Sequence, residues 1–344
     1  MKLTYTPYTL MLKHQFTLAS SSRRTTPVVI SRIELDGLVG YGEASLPPYL
    51  GETQDSVIAF LEKVDLSNFD FSHGLAEIIE YINEIEPGNS AAKACLDIAL
   101  HDLYGQFTGK PWYRMWRLNP EDAPKSSFTI GIDTPEVIRT KIKEADPFGF
   151  IKIKLGAGND KEMIETIKAL TDKPIYADVN QGWTDKYYAL DMANWCLEHG
   201  VVFLEQPMPV AAVDDMAWLK ANTQMPLIAD ESFQHMHDLD TVNGLFDGIN
   251  LKLMKCGGMR EAYNIMQRCK KYDLKVLLGC MTETSCAISA AAQLAAMANW
   301  VDLDGNMLIT NDCFKGAQLI DGKVIPLNKP GIGVMPISDS LFNE

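Results

Sequence analysis

An α/β fold, a (β/α) barrel preceded by a smaller α+β unit, follows from three observations on the sequence. Reactive side chains recur every 22 to 28 residues, at Thr129, Lys154, Asp178, Glu205, Asp230, Lys252, Cys280 and Asp302. A parallel strand, its helix and two short loops use about that many residues, since an eight-unit barrel takes roughly 250. From about Ser126, short apolar runs alternate with longer helical segments, the βαβ pattern. The first third does not alternate: strands come first and helices follow, as in an α+β unit.

The elements follow in order. Residues 2–46 carry short β-rich runs, such as Pro27 to Leu35, broken by Asp36-Gly37 and the glycines up to Gly42, and predict a small antiparallel meander. Residues 55–115 predict helices; Ala91 to Leu103 has apolar residues at helical spacing among good helix formers. Pro124 marks the boundary, giving a capping unit over 1–122 and a barrel over 123–314. Barrel strands are expected at 127–131, 149–155, 174–179, 201–205, 226–230, 248–253, 275–280 and 300–303. The segment from about 315 to 344 reads as a tail returning to the first unit.

Composition narrows the function. A chain of 344 residues exceeds one ordinary core, and 47% hydrophobic residues without low-complexity stretches indicate a globular protein. The net charge of −14 argues against nucleic acid or an anionic membrane surface as partner, so an anionic substrate would need local cations. Residues 1–14 lack the apolar core of a secretory signal, and no run approaches the ~20 apolar residues of a membrane span. Seven cysteines without a CxxC pair fit reduced thiols, and a cytoplasmic protein is expected.

Strand parity assigns directions. In Phe150-Ile-Lys-Ile-Lys-Leu155, the apolar Ile151, Ile153 and Leu155 share one face and Lys152 and Lys154 the other. The outer face packs on helices, so both lysines point into the barrel. The same argument turns Asp178 and Lys252 inward. Asp178, Glu205 and Asp230 each end an apolar strand, and three desolvated carboxylates repel unless a cation joins them. An all-oxygen set favours a hard ion, Mg²⁺, with positions left for water or substrate. Taken singly, each could be a helix cap; three on consecutive strands at matched depth point to a site. Lys152 and Lys154 at i and i+2 are expected to depress the pKa of one of them and leave it able to abstract a proton. Lys255 and Lys275 read as surface or loop charges.

These residues resemble the enolase superfamily, in particular its muconate-lactonizing subgroup. The motifs are Lys152-Ile-Lys154, Asp178-Val-Asn180, Glu205-Gln-Pro207, Asp230-Glu-Ser232 and Lys252-Leu-Met-Lys-Cys-Gly-Gly258. The resemblance spans the chain and implies a modified (β/α)7β TIM barrel with an N-terminal α+β capping domain. It implies one Mg²⁺ per active site on Asp178, Glu205 and Asp230, with Asn180 and Glu231 behind them. Lys154 and Lys252 become acid/base catalysts on opposite faces, and Lys152 supports Lys154. Two such bases imply 1,1-proton transfer at a carbon α to a carboxylate through an enediolate, a chemistry this superfamily is known for.

Val301-Asp302-Leu-Asp304-Gly305 looks like the Asp-x-Asp motif of the subgroup's dipeptide epimerases, whose carboxylates receive a substrate ammonium. The polar, cationic segment from Ser20 to Thr26 reads as a loop over the barrel mouth, with Arg24 gripping a second carboxylate. Thr129, Cys280 and Thr282 are placed to touch substrate, Cys280 as a packing residue and not a nucleophile. The expected activity is epimerisation of small dipeptides of the L-Ala-D/L-Glu type, by family analogy in murein-peptide metabolism. An N-acylamino-acid racemase, an o-succinylbenzoate synthase and a non-catalytic binding barrel are the alternatives. A homo-oligomer is compatible with the sequence.

Overall fold

A computed structural model describes residues 1–17 and 22–342. The capping unit begins with a three-stranded antiparallel meander, β1 (Lys2–Thr17), β2 (Ser22–Leu35) and β3 (Leu38–Ser45). Helices α1 (Gln54–Leu61), α2 (Leu75–Ile85), α3 (Ser90–Thr108) and α4 (Trp112–Met115) follow. The centre of this unit is α3, whose small residues Ala91, Ala92, Ala94 and Ala99 are fully buried. Gly40 and Gly42 of β3 lie so close to it that a Cβ on either would collide with the backbone of Ala99 or Cys95. No other residue fits there.

The barrel comprises β4 (Ser127–Ile130), α5 (Pro135–Glu144), β5 (Phe150–Lys154), α6 (Asp160–Lys168), β6 (Ile175–Asp178), α7 (Lys186–Glu198), β7 (Val201–Glu205), α8 (Val213–Asn222), β8 (Leu227–Ala229) and α9 (Leu239–Val242). It continues with β9 (Gly248–Leu251), α10 (Leu253–Cys256), α11 (Met259–Tyr272), β10 (Lys275–Gly279), α12 (Ser285–Ala292) and β11 (Trp300–Asp302). The eight strands β4 to β11 are parallel and neighbours in chain order. A bridge between Ser126 and Val301 closes the ring, helped by Leu303 N–H donating to Ser126 Oγ at 3.0 Å. Among the described residues no α-helix follows β11, so the repeat is (β/α)7β. Each strand is centred where the sequence places it, trimmed by a residue or two at the ends. The element between β8 and β9 is reduced to the four residues of α9.

Of the short strands β12 (Phe314–Lys315), β13 (Gln318–Ile320), β14 (Lys323–Ile325) and β15 (Met335–Pro336), β13 and β14 form a hairpin, and β12 pairs antiparallel with β15 on either side of it in the chain. Between β14 and β15 the chain passes over α3, where Ile332 N–H donates to Asp102 Oδ1 at 2.9 Å. The cap meets the barrel at specific joints, among them Met259 N–H on Asp97 Oδ1 and Ser45 Oγ on the carbonyl of Thr282 at 2.7 Å. No helix among the described residues is long and apolar enough to cross a membrane.

Candidate active site at the barrel mouth

A cleft of 390 Å³ lies where the C-terminal ends of the strands meet the capping sheet. Lys152, Lys154, Asn180, Asp230, Glu231, Lys252, Cys280, Thr282, Thr129, Asp302 and Asp304 all line it. Asp178 and Glu205 lie beneath, fully buried. Asp178, Glu205 and Asp230 offer carboxylate oxygens within 4.8 Å of one another. Their strands β6, β7 and β8 are adjacent, so register alone gathers them.

The charges interlock. Lys154 Nζ donates to Asp178 Oδ2 at 2.5 Å, and Asn180 N–H donates to Asp178 Oδ1 at 3.0 Å. Lys152 Nζ lies 2.8 Å from both Glu205 Oε2 and Asp302 Oδ2, and 3.3 Å from Asp178 Oδ2. Lys252 Nζ takes Asp230 Oδ2 at 2.8 Å, and Asn250 Nδ2 donates to Glu205 Oε1 at 2.7 Å. Asp302 accepts from Ser127 Oγ at 2.7 Å, and Asp304 Oδ2 from Thr129 N–H at 2.6 Å.

Burial and the crowding of charges set the protonation. Burial and the Asp178 carboxylate push Glu205 up to about 8. Asp178 and Asp230 are held below the usual carboxylate range: burial opposes this, but Lys154 and Lys152 win at Asp178, and Lys252 and Lys255 at Asp230. Burial and Asp302 raise Asp304 to about 7. The expected depression of a lysine is not found at Lys152. Burial disfavours its cation, yet Asp302, Glu205 and Asp178 outweigh burial and raise its pKa well above the ordinary value. Lys252 is raised likewise, burial being overcome by Asp230. At Lys152 the attraction of three facing carboxylates outweighs the repulsion of the neighbouring lysine.

The donor set fits a hard cation. Glu231 Oε2 and Asn180 Oδ1 are buried oxygens that accept no hydrogen bond, and Glu205 Oε2 meets the Lys152 ammonium without a hydrogen bond; a cation bound among them relieves that expensive condition.

Two expectations need correction. Arg24 is not in the cleft; it is exposed, its Nε 3.4 Å from Gln15 Oε1. Ser22 to Thr26 belong to β2, with Arg23 opposite Phe16 and Ser22 opposite Thr17, while Ser20 and Ser21 lie outside the described residues. Alternation on that strand turns Arg23 into the cleft and Arg24 away from it. Arg23 Nη2 donates to Thr282 Oγ1 at 3.2 Å, its guanidinium sits 5.2 Å from the Phe16 ring centroid, and its Nε is buried without a partner. Lys255 is not a surface charge: it is fully buried, and its Nζ donates at 2.7–2.8 Å to Asp230 Oδ1 and to the carbonyls of Asp230, Phe233 and Asn250. It follows Lys252 by three residues on the turn of α10, between Met254 and Cys256, and those apolar neighbours were the available signal. Lys275 is exposed.

Sequence reasoning also missed Gln206, whose Oε1 accepts from Asp230 N–H and Ser232 N–H at 3.1 and 3.0 Å. Tyr49, on the cap's lip, places its ring 5.9 Å from Lys252 Nζ and its hydroxyl on Met281 Sδ.

A closed (β/α)7β barrel with three carboxylates between two lysine-bearing strands defines an acid/base enzyme of the enolase type. Residues 137–340 match the family described as enolase C-terminal domain-like, and residues 2–115 the mandelate racemase/muconate lactonizing enzyme N-terminal domain. The chain belongs to the enolase superfamily, and it is an isomerase of the racemase and epimerase kind. It is 53% identical to the L-Ala-D/L-Glu epimerase of Bacteroides thetaiotaomicron over 98% of this chain and 88% of that one. Its fold is similar to the substrate-liganded L-Ala-D/L-Glu epimerase of Bacillus subtilis, with a TM-score of 0.90, 27% identity and 98% of each chain covered. It is also similar to the Enterococcus faecalis dipeptide epimerase complexed with Mg and L-Leu-L-Tyr, with a TM-score of 0.88, 29% identity, and 96% and 98% covered.

Proposed function

We propose that this protein is a Mg²⁺-dependent dipeptide epimerase of the L-Ala-D/L-Glu type that inverts the α-carbon of the C-terminal residue. One observation carries the reading. Lys154 ends β5 and Lys252 follows β9; four strands apart in a ring of eight, they face each other across the cleft, with the carboxylates of β6, β7 and β8 between them. A substrate carbon held between them can lose a proton to one lysine and gain one from the other on the opposite face, which inverts it.

Asp178, Glu205 and Asp230 would hold the metal, with Asn180 and Glu231 beside it. A Mg²⁺ ion there supplies positive charge that stabilises the negative charge developing on the substrate carboxylate. In either direction of turnover one of the two lysines must start neutral and the other protonated, and they exchange these states as the product forms. Lys152, held cationic by Asp302 and Glu205 against its burial, ties those two carboxylates together beside Lys154. The peptide's ammonium group would lie against Asp302 and Asp304; Asp302 is already tied to Lys152, which leaves Asp304 as the nearer partner. An N-acyl substrate has no charge for that carboxylate, which disfavours the racemase and synthase alternatives.

Arg23 would receive an acidic side chain. No carboxylate among the described residues pairs with it, and a buried guanidinium with a free N–H favours a planar anion. Residues 1–122 would act as the cap that closes this side of the cleft. The cytoplasm, and murein peptides as the source of substrate, accord with this chemistry. Incubation with Mg²⁺ and L-Ala-L-Glu in D₂O should wash out the Glu α-proton signal as the diastereomer appears. No exchange with this or any of a panel of other dipeptides would sink the reading.

A further inference from the structure

The cap touches the substrate cleft through more than its rim. Gly40 and Gly42 bring β3 onto α3 at a distance no side chain allows, and this drives the next residue, Glu43, between cap and barrel. Glu43 is fully buried, and no cation among the described residues pairs with it. Its contacts all go to one place, the segment after β10. Thr284 N–H donates to Oε1 at 2.9 Å and to Oε2 at 3.2 Å, Thr284 Oγ1 to Oε2 at 2.5 Å, and Ala287 N–H to Oε2 at 3.2 Å. These are the N-cap and first-turn donors of α12, which an anionic or acceptor group satisfies.

The residues just before Thr284 form the wall of the cleft. Cys280, Met281 and Thr282 line it. The wall is braced from within by Met281 N–H on Glu283 Oε1 at 3.0 Å and from the cap by Ser45 Oγ on the Thr282 carbonyl. Thr282 Oγ1 in turn accepts from Arg23, the group that would take the substrate's side chain.

We propose that Glu43 is a positioning residue for substrate binding, anchoring the 280–284 wall so that Thr282 and Arg23 are held for the dipeptide. The proposal rests on the dipeptide-epimerase reading. Lys154, Lys252 and the metal ligands reside on other elements, so Glu43 acts on recognition and leaves proton transfer alone.

The test uses the full chain with Mg²⁺ and the variants Glu43→Ala and Glu43→Gln. Three quantities are read: amide hydrogen exchange across 281–287, KM and kcat for L-Ala-L-Glu, and Mg²⁺ affinity by calorimetry. Glu43→Ala should speed exchange in that segment at least about tenfold and raise KM about tenfold, with kcat and Mg²⁺ affinity held within about threefold. Glu43→Gln keeps an acceptor for the Thr284 N–H and should recover most of the loss. Wild-type KM and exchange in Glu43→Ala would overturn the proposal. So would a joint fall of KM performance, kcat and Mg²⁺ affinity with exchange rising throughout the barrel, which marks general destabilisation. If the wild-type protein moves no dipeptide α-proton, the functional reading fails, and amide exchange in Glu43→Ala alone then upholds or overturns the anchor.

Discussion

The two ends of this barrel are built from the same strands and filled with opposite chemistry. At the N-terminal end Tyr176, Phe203, Ile228 and Leu277 form a buried plug with Phe150 and Trp300 packed against it. The rings stack, with centroids 4.6 Å apart for Phe150 and Tyr176 and 4.4 Å for Tyr176 and Phe203. Two residues further along the same faces, Phe150 gives way to Lys152, Tyr176 to Asp178, Phe203 to Glu205, Ile228 to Asp230 and Trp300 to Asp302. Each of these five strands thus carries an apolar inward residue that locks its position and a charged one that uses it. The lower layer stabilises the ring. The upper layer costs free energy through desolvated charge and repays it as geometry for proton transfer.

Substitution in each layer should break the molecule in a different way. Lys252→Ala should lower the rate of epimerisation about 10³-fold while the urea midpoint stays near wild type, since a positioned acid/base contributes about 10²–10⁴-fold. Lys154 would still exchange the α-proton of one epimer in D₂O without inverting it; equal exchange of both epimers would refute the two-sided arrangement. Phe203→Ala should do the reverse, costing about 3–5 kcal/mol of stability by urea unfolding and leaving kcat of the folded enzyme near wild type. A kcat collapse in that variant would show that the plug tunes the site directly.

A smaller effect separates the two arginines. Arg23→Gln should raise KM for L-Ala-L-Glu about tenfold and leave KM for a dipeptide with an apolar C-terminal residue within about twofold. Arg24→Gln should change neither. If the effects were exchanged, the register of β1 and β2 at the cleft would be wrong.

Where the sequence was readable, the signal was local. Period-two alternation turned Lys152, Lys154 and Asp178 inward, and the repeat of about 25 residues found their partners on neighbouring strands. Where it was not, the answer lay in pairing across long separations. Arg23 and Arg24 are adjacent, and only the pairing of β2 with β1, which shifts register between Met11 and Phe16, decides which enters the cleft. Lys255 departs from the general rule that a lysine stays in water: its apolar neighbours Met254 and Cys256 hint at burial, but the four oxygens that receive it belong to Asp230, Phe233 and Asn250, which no local pattern announces. Glu43 carries no local signal, because its contacts lie some 240 residues away. The three carboxylates Asp178, Glu205 and Asp230 were legible as a set, whereas the supports behind them, Gln206 and Asn250, carry no charge to draw attention.

The smallest expected effect concerns acids buried away from the cleft. Asp102 on α3 is buried, and burial pushes its carboxyl up to about 7 against the lowering donors Ile332 N–H and Tyr41 N–H. Burial raises Glu43 to about 7 as well, against the donors of Thr284 and Ala287. The ordinary values are 3.8 and 4.5, so between these and pH 7 the folded state holds more protons than the unfolded one. Stability therefore falls as pH rises through that window, and the contribution of the protonated acids is complete only below the unfolded values. The wild-type urea midpoint, measured with a chelator so that the metal site does not intrude, should decline from pH 5 to pH 8. Asp102→Asn should lie lower at pH 5, where it loses a fitted group, and show a shallower decline, because one of the titrating acids is gone. An undiminished slope in that variant would mean that Asp102 is already ionised at pH 5, with its two backbone donors outweighing burial.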